Sequence, residues 1–209
     1  MKHAKTAITI VLSFMLSAGL AFAQTPLSGS LSGTIGPDVF LVEGDCDILQ
    51  GETLTIAPGT TFLFSGHYYW KIYGTLIAQG TETDSIVFTR QNPTQGHRWG
   101  GLRFMSGAPA GSIIEYCLID NCMNYEWLNN QGGGIYSDGV SFNVSHTTIQ
   151  YCEASDGGGF YSVNGAQVVF DQCSILHNTA SSGGGLYYST TSRGEIRNSV
   201  IMWNTSTGT

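Results

Sequence analysis

Charge is scarce in this chain. Only 11% of its 209 residues are charged, less than half the usual share of about 25%. Basic residues are the scarcer kind, 8 Lys and Arg against 15 Asp and Glu. If Lys2 and Lys5 leave with an N-terminal leader, 6 basic residues face 15 acidic ones, a net charge of −9. That balance excludes the electrostatic footprint of a nucleic-acid binder or of a protein held on an anionic membrane. Proline, at 5 residues, is too sparse for a collagen-like or proline-rich linker. No CxxC pair occurs among Cys46, Cys117, Cys122, Cys152 and Cys173, which disfavours a structural zinc site. The cysteine count is odd, so at least one thiol is unpaired within a monomer. Past the N-terminal region no segment is apolar enough to span a bilayer.

What is present in excess is glycine, at 28 residues, nearly twice the usual ~7%. With many Ser, Thr and Asn residues and 42% hydrophobic content, this describes short strands broken by tight turns. The first residues read as an export signal. Lys2 and Lys5 precede an apolar run over residues 7–20, and Ala21-Phe22-Ala23 fits a small-x-small cleavage site before Gln24.

Repeats dominate the second half. GGGIY at 132–136, GGGFY at 157–161 and GGGLY at 183–187 recur at offsets of 25 and 26. Ile119, Ile149, Ile175 and Ile201 fall in the same register. So do Ile114, Val144, Phe170 and Ile196, then Cys117, Thr147, Cys173 and Ser199, then Cys122, Cys152, Asn178 and Asn204. A period of this length means a solenoid and is too short for a βαβ unit. One coil cannot bury its own apolar side. Stacked coils pair their strands about 4.8 Å apart and turn the Ile positions into a core column. The glycines are expected to supply positive φ at the turns, and the Asn positions an amide ladder. Cys122 and Cys152, in that Asn column, are expected as an inert packed pair rather than a disulfide.

Residues 31–112 lack the triplet but alternate with period 2, through Thr53-Leu54-Thr55-Ile56, Phe62 and Phe64, Ile72, Leu76 and Ala78, Ile86 and Phe88, and Trp99, Leu102 and Phe104. The expected organisation is a signal peptide over 1–23, N-terminal coils with a cap over 24–112 and Gly-triplet coils over 113–209. Another triplet is due near residue 209, so on this reading the repeat array is incomplete and lacks a terminal cap.

The segments LTIAPGTTFLFSG at 54–66, YGTLIAQGTETDSIVFT at 73–89 and RWGGLRF at 98–104 resemble the N-terminal coils of bacterial right-handed parallel β-helix surface proteins. The GGG[ILF]Y and IxxN units resemble the repeats of polymorphic outer-membrane proteins and related secreted β-helix proteins. The family repeat usually has Phe where this chain has Ile175 and Ile201. The resemblance implies an all-β, right-handed parallel β-helix exported to the extracellular or outer-membrane surface of a bacterium. It also implies adhesive or glycan-associated partners, and it carries over no catalytic residue.

Three functions are open on this reading: adhesion or glycan binding, a polysaccharide lyase or glycoside hydrolase of the pectate-lyase-like β-helix class, and a passive stalk. Lyase chemistry wants a carboxylate cluster holding Ca²⁺ and a basic residue to take a proton. Hydrolysis wants carboxylates paired across the bond. Asp120, Glu153, Asp156, Asp171 and Glu195 are scattered, and His67, His97, His146 and His177 have no metal spacing. No cofactor is indicated, and Ca²⁺ is permitted but not indicated. Asn143-Val144-Ser145 and Asn204-Thr205-Ser206 match the glycosylation acceptor pattern, though Val144 belongs to the core column.

The most informative departure is an insertion, MNYEWLNNQ, between Cys122 and Gly132, where the next two coils have four residues. Insertions in a solenoid map to loops on one face, often the binding face. Tyr125, Glu126, Trp127, Asn129 and Asn130 are therefore the candidate binding residues, with the two aromatics suited to stacking on a sugar or else folded back onto the wall. A second aromatic group, His67-Tyr68-Tyr69-Trp70 with Tyr73, is expected to stack between coils or blunt the N-terminal edge.

Overall fold

The computed structural model describes residues 24–92, 94, 96–124 and 130–208. The expected leader lies outside them. The described chain is all-β and every strand pairing is parallel: a parallel β-helix.

Each full coil contributes strands to three walls. The first wall is a seven-stranded sheet running from Gly33–Ile35 through Thr53–Ile56, Thr75–Gln79, Ile113–Glu115, Phe142–Ser145 and Gln167–Asp171 to Arg193–Arg197. The second runs through Thr61–Phe64, Ile86–Arg90, Cys117–Asp120, Thr148–Gln150 and Ser174–Leu176 to Val200–Met202. The third runs through Trp70–Ile72, Leu102–Phe104, Ile135–Asp138 and Phe160–Val163 to Leu186–Tyr188. The long strand Val39–Ile48 joins the second and third walls, since its first half pairs with Thr61–Phe64 and its second half with Trp70–Ile72.

Alternation explains the core. In a strand, successive side chains point to opposite faces, so one set per wall faces the inside of the coil. In the second wall that set is Phe40, Phe62, Phe88, Ile119, Ile149, Ile175 and Ile201, each the Cα partner of the next. The Ile column of the repeats is thus continued by phenylalanine in the early coils. Phe62 stacks on Phe40 and Phe88 at 5.5 and 5.0 Å. In the first wall the set is Ile35, Ile56, Ala78, Ile114, Val144, Phe170 and Ile196. Ile201 and Ile196 are 44% and 43% exposed, because no described coil covers them.

The corners use a device that glycine does not supply. Tyr116, His146, Gln172 and Asn198 have φ between 47 and 55°, and Asn121, Tyr151, His177 and Trp203 between 53 and 57°. Each column recurs once per coil. In the triplets only the first glycine has positive φ, at 66, 65 and 61° for Gly132, Gly157 and Gly183. The expectation that the triplet serves φ > 0 is corrected for the other two, which are forced by close approach. A Cβ on Gly158 would lie 2.4 Å from Gly184 O, and one on Gly159 would lie 2.6 Å from Gly185 O.

The fourth column behaves as a ladder. Asn178 Nδ2 donates to Asn204 Oδ1 at 3.0 Å and to Ile149 O at 3.0 Å, while its Oδ1 accepts the Cys152 amide at 2.9 Å. All five cysteines are buried and free. Trp70 and Tyr69 are not edge covers: Trp70 is fully buried, edge-on to Phe62 and Phe88 at 4.7 and 5.3 Å.

Candidate binding surface

The corner between the second and third walls carries the insertion. Here later coils make only short pairings, Met123 with Glu153, Glu153 with Thr179, Gln131 with Asp156, and the strand Thr179–Ala180 with Thr205–Ser206. Tyr125, Glu126, Trp127 and Asn129 lie outside the described residues. The root on both sides of them is described, and it is built from buried polar contacts.

Asn124 is fully buried. It stands where the following coils have Ala154 and Ala180, since the Asn124 amide donates to Glu153 O and the Ala154 amide to Thr179 O. Its Nδ2 donates to Gln131 O at 2.9 Å, and its Oδ1 accepts the Tyr69 hydroxyl at 3.2 Å. Tyr69 Oη in turn lies 2.9 Å from His67 Nε2. From the other side Arg103, only 6% exposed, donates from Nη1 to Gln131 O and Gly132 O, both at 2.7 Å. Its guanidinium also covers the Tyr136 ring at 4.2 Å. A buried polar group is tolerated when its hydrogen bonds are made, and these bonds converge on the carbonyls that re-enter the wall. Asn130 ends the root: its carbonyl accepts the Ser155 amide at 2.8 Å and its Oδ1 accepts Ser155 Oγ at 2.7 Å.

Beside this root lies an open groove of about 230 Å³, lined by Asn130, Glu153, Ala154, Ser155, Thr179, Ala180, Ser181 and Thr207. Of the five residues predicted from the insertion, Asn130 is the described one, and it faces the groove. Glu153 is held by Arg98 at 3.1 Å.

Aromatic columns flank the corner. Tyr136, Tyr161 and Tyr187 stack at 5.8 and 5.3 Å, nearly parallel at 3 and 10°. Tyr151, His177 and Trp203 stack at 5.0 and 4.9 Å. In both columns the middle ring has its faces covered by its neighbours, while Trp203 at the end of its column is 63% exposed.

The other carboxylates have partners of their own. Asp120 accepts from Thr89 Oγ1 at 2.7 Å, from Gln150 Nε2 at 3.2 Å and from Asn121 Nδ2. Asp171 accepts from Asn198 at 3.0 Å, and Glu195 pairs with Arg197. Among the described residues no group of three or more His, Cys, Asp or Glu is placed to hold a metal ion.

Sequence reasoning missed Asn124 and Arg103. Both had a signal in the repeat: a lone amide in a column of alanines, and a lone guanidinium in a column that becomes tyrosine.

Comparison with known proteins adds little. No family model matches the chain, and no solved structure matches it. A segment of 59 residues, 28% of the chain, is 39% identical to part of Protein bark beetle of Drosophila melanogaster. The match spans 2% of that protein's length.

Proposed function

We propose that this chain is an exported β-helix that binds an extracellular glycan or cell-surface partner through the corner carrying the insertion, without catalysis in this segment. The observation that carries the reading is the root of the inserted loop. Asn124 and Arg103 donate to the Gln131 and Gly132 carbonyls, and the Tyr69 hydroxyl braces Asn124, beside a groove lined with hydroxyls and an amide. Rigid support at the ends of an inserted segment is how binding segments are presented on a scaffold. The leader-like N-terminus supports export, and the resemblance to bacterial surface β-helix proteins supports display at a cell surface. Among the described residues no helix is long and apolar enough to cross a membrane.

A glycan-array screen of residues 24–209, with Trp127→Ala beside it, tests the reading. Binding that weakens in the variant supports recognition at the insertion. Cleavage of a polysaccharide by the same fragment would overturn the non-catalytic part and favour a lyase or hydrolase. No binding to any glycan or cell surface would leave a passive stalk.

A further inference from the structure

The groove repeats with the coils. Along one side, Asn130, Ser155 and Ser181 stand in line: the Ser155 amide donates to Asn130 O, the Ser181 amide to Ser155 O and the Gly208 amide to Ser181 O, at 2.8, 2.8 and 2.9 Å. Along the other side, Glu153 pairs with Thr179, and Thr179 with Thr205. Between the two rows the floor is made by Ala154 and Ala180, both buried, and continued by Ser206, the partner of Ala180. Across the groove the order is polar, small, polar. Along it the pattern recurs at the strand spacing of about 4.8 Å.

Its charge is as regular. No Lys, Arg or His is among the lining residues, and the one carboxylate, Glu153, is neutralised by Arg98. An anionic ligand would find no cation in the lining, and the nearby Arg98 is already paired with Glu153, so its desolvation would lack a compensating pair. Hydroxyl and amide groups suit a ligand that offers hydroxyls in return, and the small residues Ala154 and Ala180, whose side chains are buried, leave the floor between the two polar rows low. In the stack of Tyr136, Tyr161 and Tyr187 the inner ring has both faces covered and Arg103 covers the outer face of Tyr136, so hydrogen bonding in the groove, more than ring stacking on that ladder, is the recognition available.

We infer that the groove takes an uncharged, extended polysaccharide chain lying along the solenoid axis, each coil presenting one subsite. This rests on the glycan reading above and adds the charge and direction of the ligand.

The test is calorimetric titration of residues 24–209 with linear neutral oligosaccharides of the cello, xylo, manno and chito series, from dimer to hexamer. Oligogalacturonates and hyaluronate fragments of matching length run beside them. Ser181 and Thr207 are exposed and line the groove, so Ser181→Trp and Thr207→Trp are filling variants; Asn143→Trp, exposed on the first wall, is the control. At least one neutral series is expected to bind with affinity that rises with chain length and then levels. Either filling variant that keeps the parental circular dichroism should weaken it by at least about tenfold, with the control unchanged. Tighter binding of acidic chains, binding independent of length, or neutral binding that both filling variants leave intact would overturn the inference while leaving the glycan reading standing. No saccharide binding at all would overturn both.

Discussion

The Tyr69 hydroxyl donates to Asn124 Oδ1 at 3.2 Å, joining residues 55 positions apart. Asn124 is fully buried and Tyr69 is 7% exposed, so the bond is shielded from water. Tyr69→Phe removes the donor and leaves the amide oxygen short of it, a loss of about 1–3 kcal/mol. Asn124→Ala removes the other partner together with the bond to Gln131. A double-mutant cycle by urea unfolding should give a coupling of about 0.5–3 kcal/mol, and both variants should speed proteolysis between Asn124 and Asn130. Additive effects would show that the bond is not part of the loop's support.

The Asn ladder predicts a second effect. Asn178→Ala withdraws the acceptor from the Cys152 amide and breaks the bonds to Ile149 O and Asn204. Asn178 is fully buried, and leaving buried groups unpaired costs about 1–3 kcal/mol each. A clear fall in melting temperature is expected, larger than for Asn164→Ala, whose amide donates to Asp138 at an exposed site.

Two glycines, Gly165 of a turn and Gly158 of a triplet, separate causes that the sequence cannot. Gly165→Ala meets nothing within 4 Å and suffers only its φ of 81°, a strain of about 1–2 kcal/mol. Gly158→Ala has no such φ, but its Cβ meets Gly184 O at 2.4 Å and Thr179 O at 2.5 Å. Because both are backbone atoms of the stacked coil, the coils must part, and the second variant should lose much more stability by urea midpoint than the first.

The buried thiols predict a pH dependence. Burial pushes Cys46 from 9.0 up to about 12, with Asp47 and Asp45 adding to it, and pushes Cys173 from 9.0 up to about 11 against backbone hydrogen bonds to Thr147 and Asp171 that pull it down. Burial likewise raises Cys117 and Cys122. A group whose folded pKa is raised contributes stability that is fully present below its unfolded value and lost as pH climbs through the folded one. The urea midpoint should therefore fall as pH rises from 9.0 towards about 11. Below that range a thiol reagent should label none of the five cysteines in the folded protein and all five after denaturation. Rapid labelling of the native state would contradict their burial.

The columns were legible in sequence because a solenoid places equivalent positions in contact. Ile119, Ile149 and Ile175 align in the sequence for the same reason that they touch in the fold. Their continuation into Phe88, Phe62 and Phe40 was less visible, because the residue type changes and coil length varies, with successive partners 22, 26 and 31 residues apart from Phe40 to Ile119. The role of Gly158 was hidden because close approach depends on the neighbouring coil, not on the residue's own turn. Asn130 was legible as part of the insertion. The groove beside it was not, since it arises from Ser155, Thr179 and Ser181, ordinary residues that matter only once stacked.

The most direct measurement is the amide chemical-shift map of residues 24–209 titrated with the best-binding oligosaccharide. The account predicts shifts concentrated at Asn130, Ser155, Thr179, Ser181 and Thr207, in a line along the solenoid. Shifts centred on Ile77, Ile113 and Val169 of the first wall would contradict it.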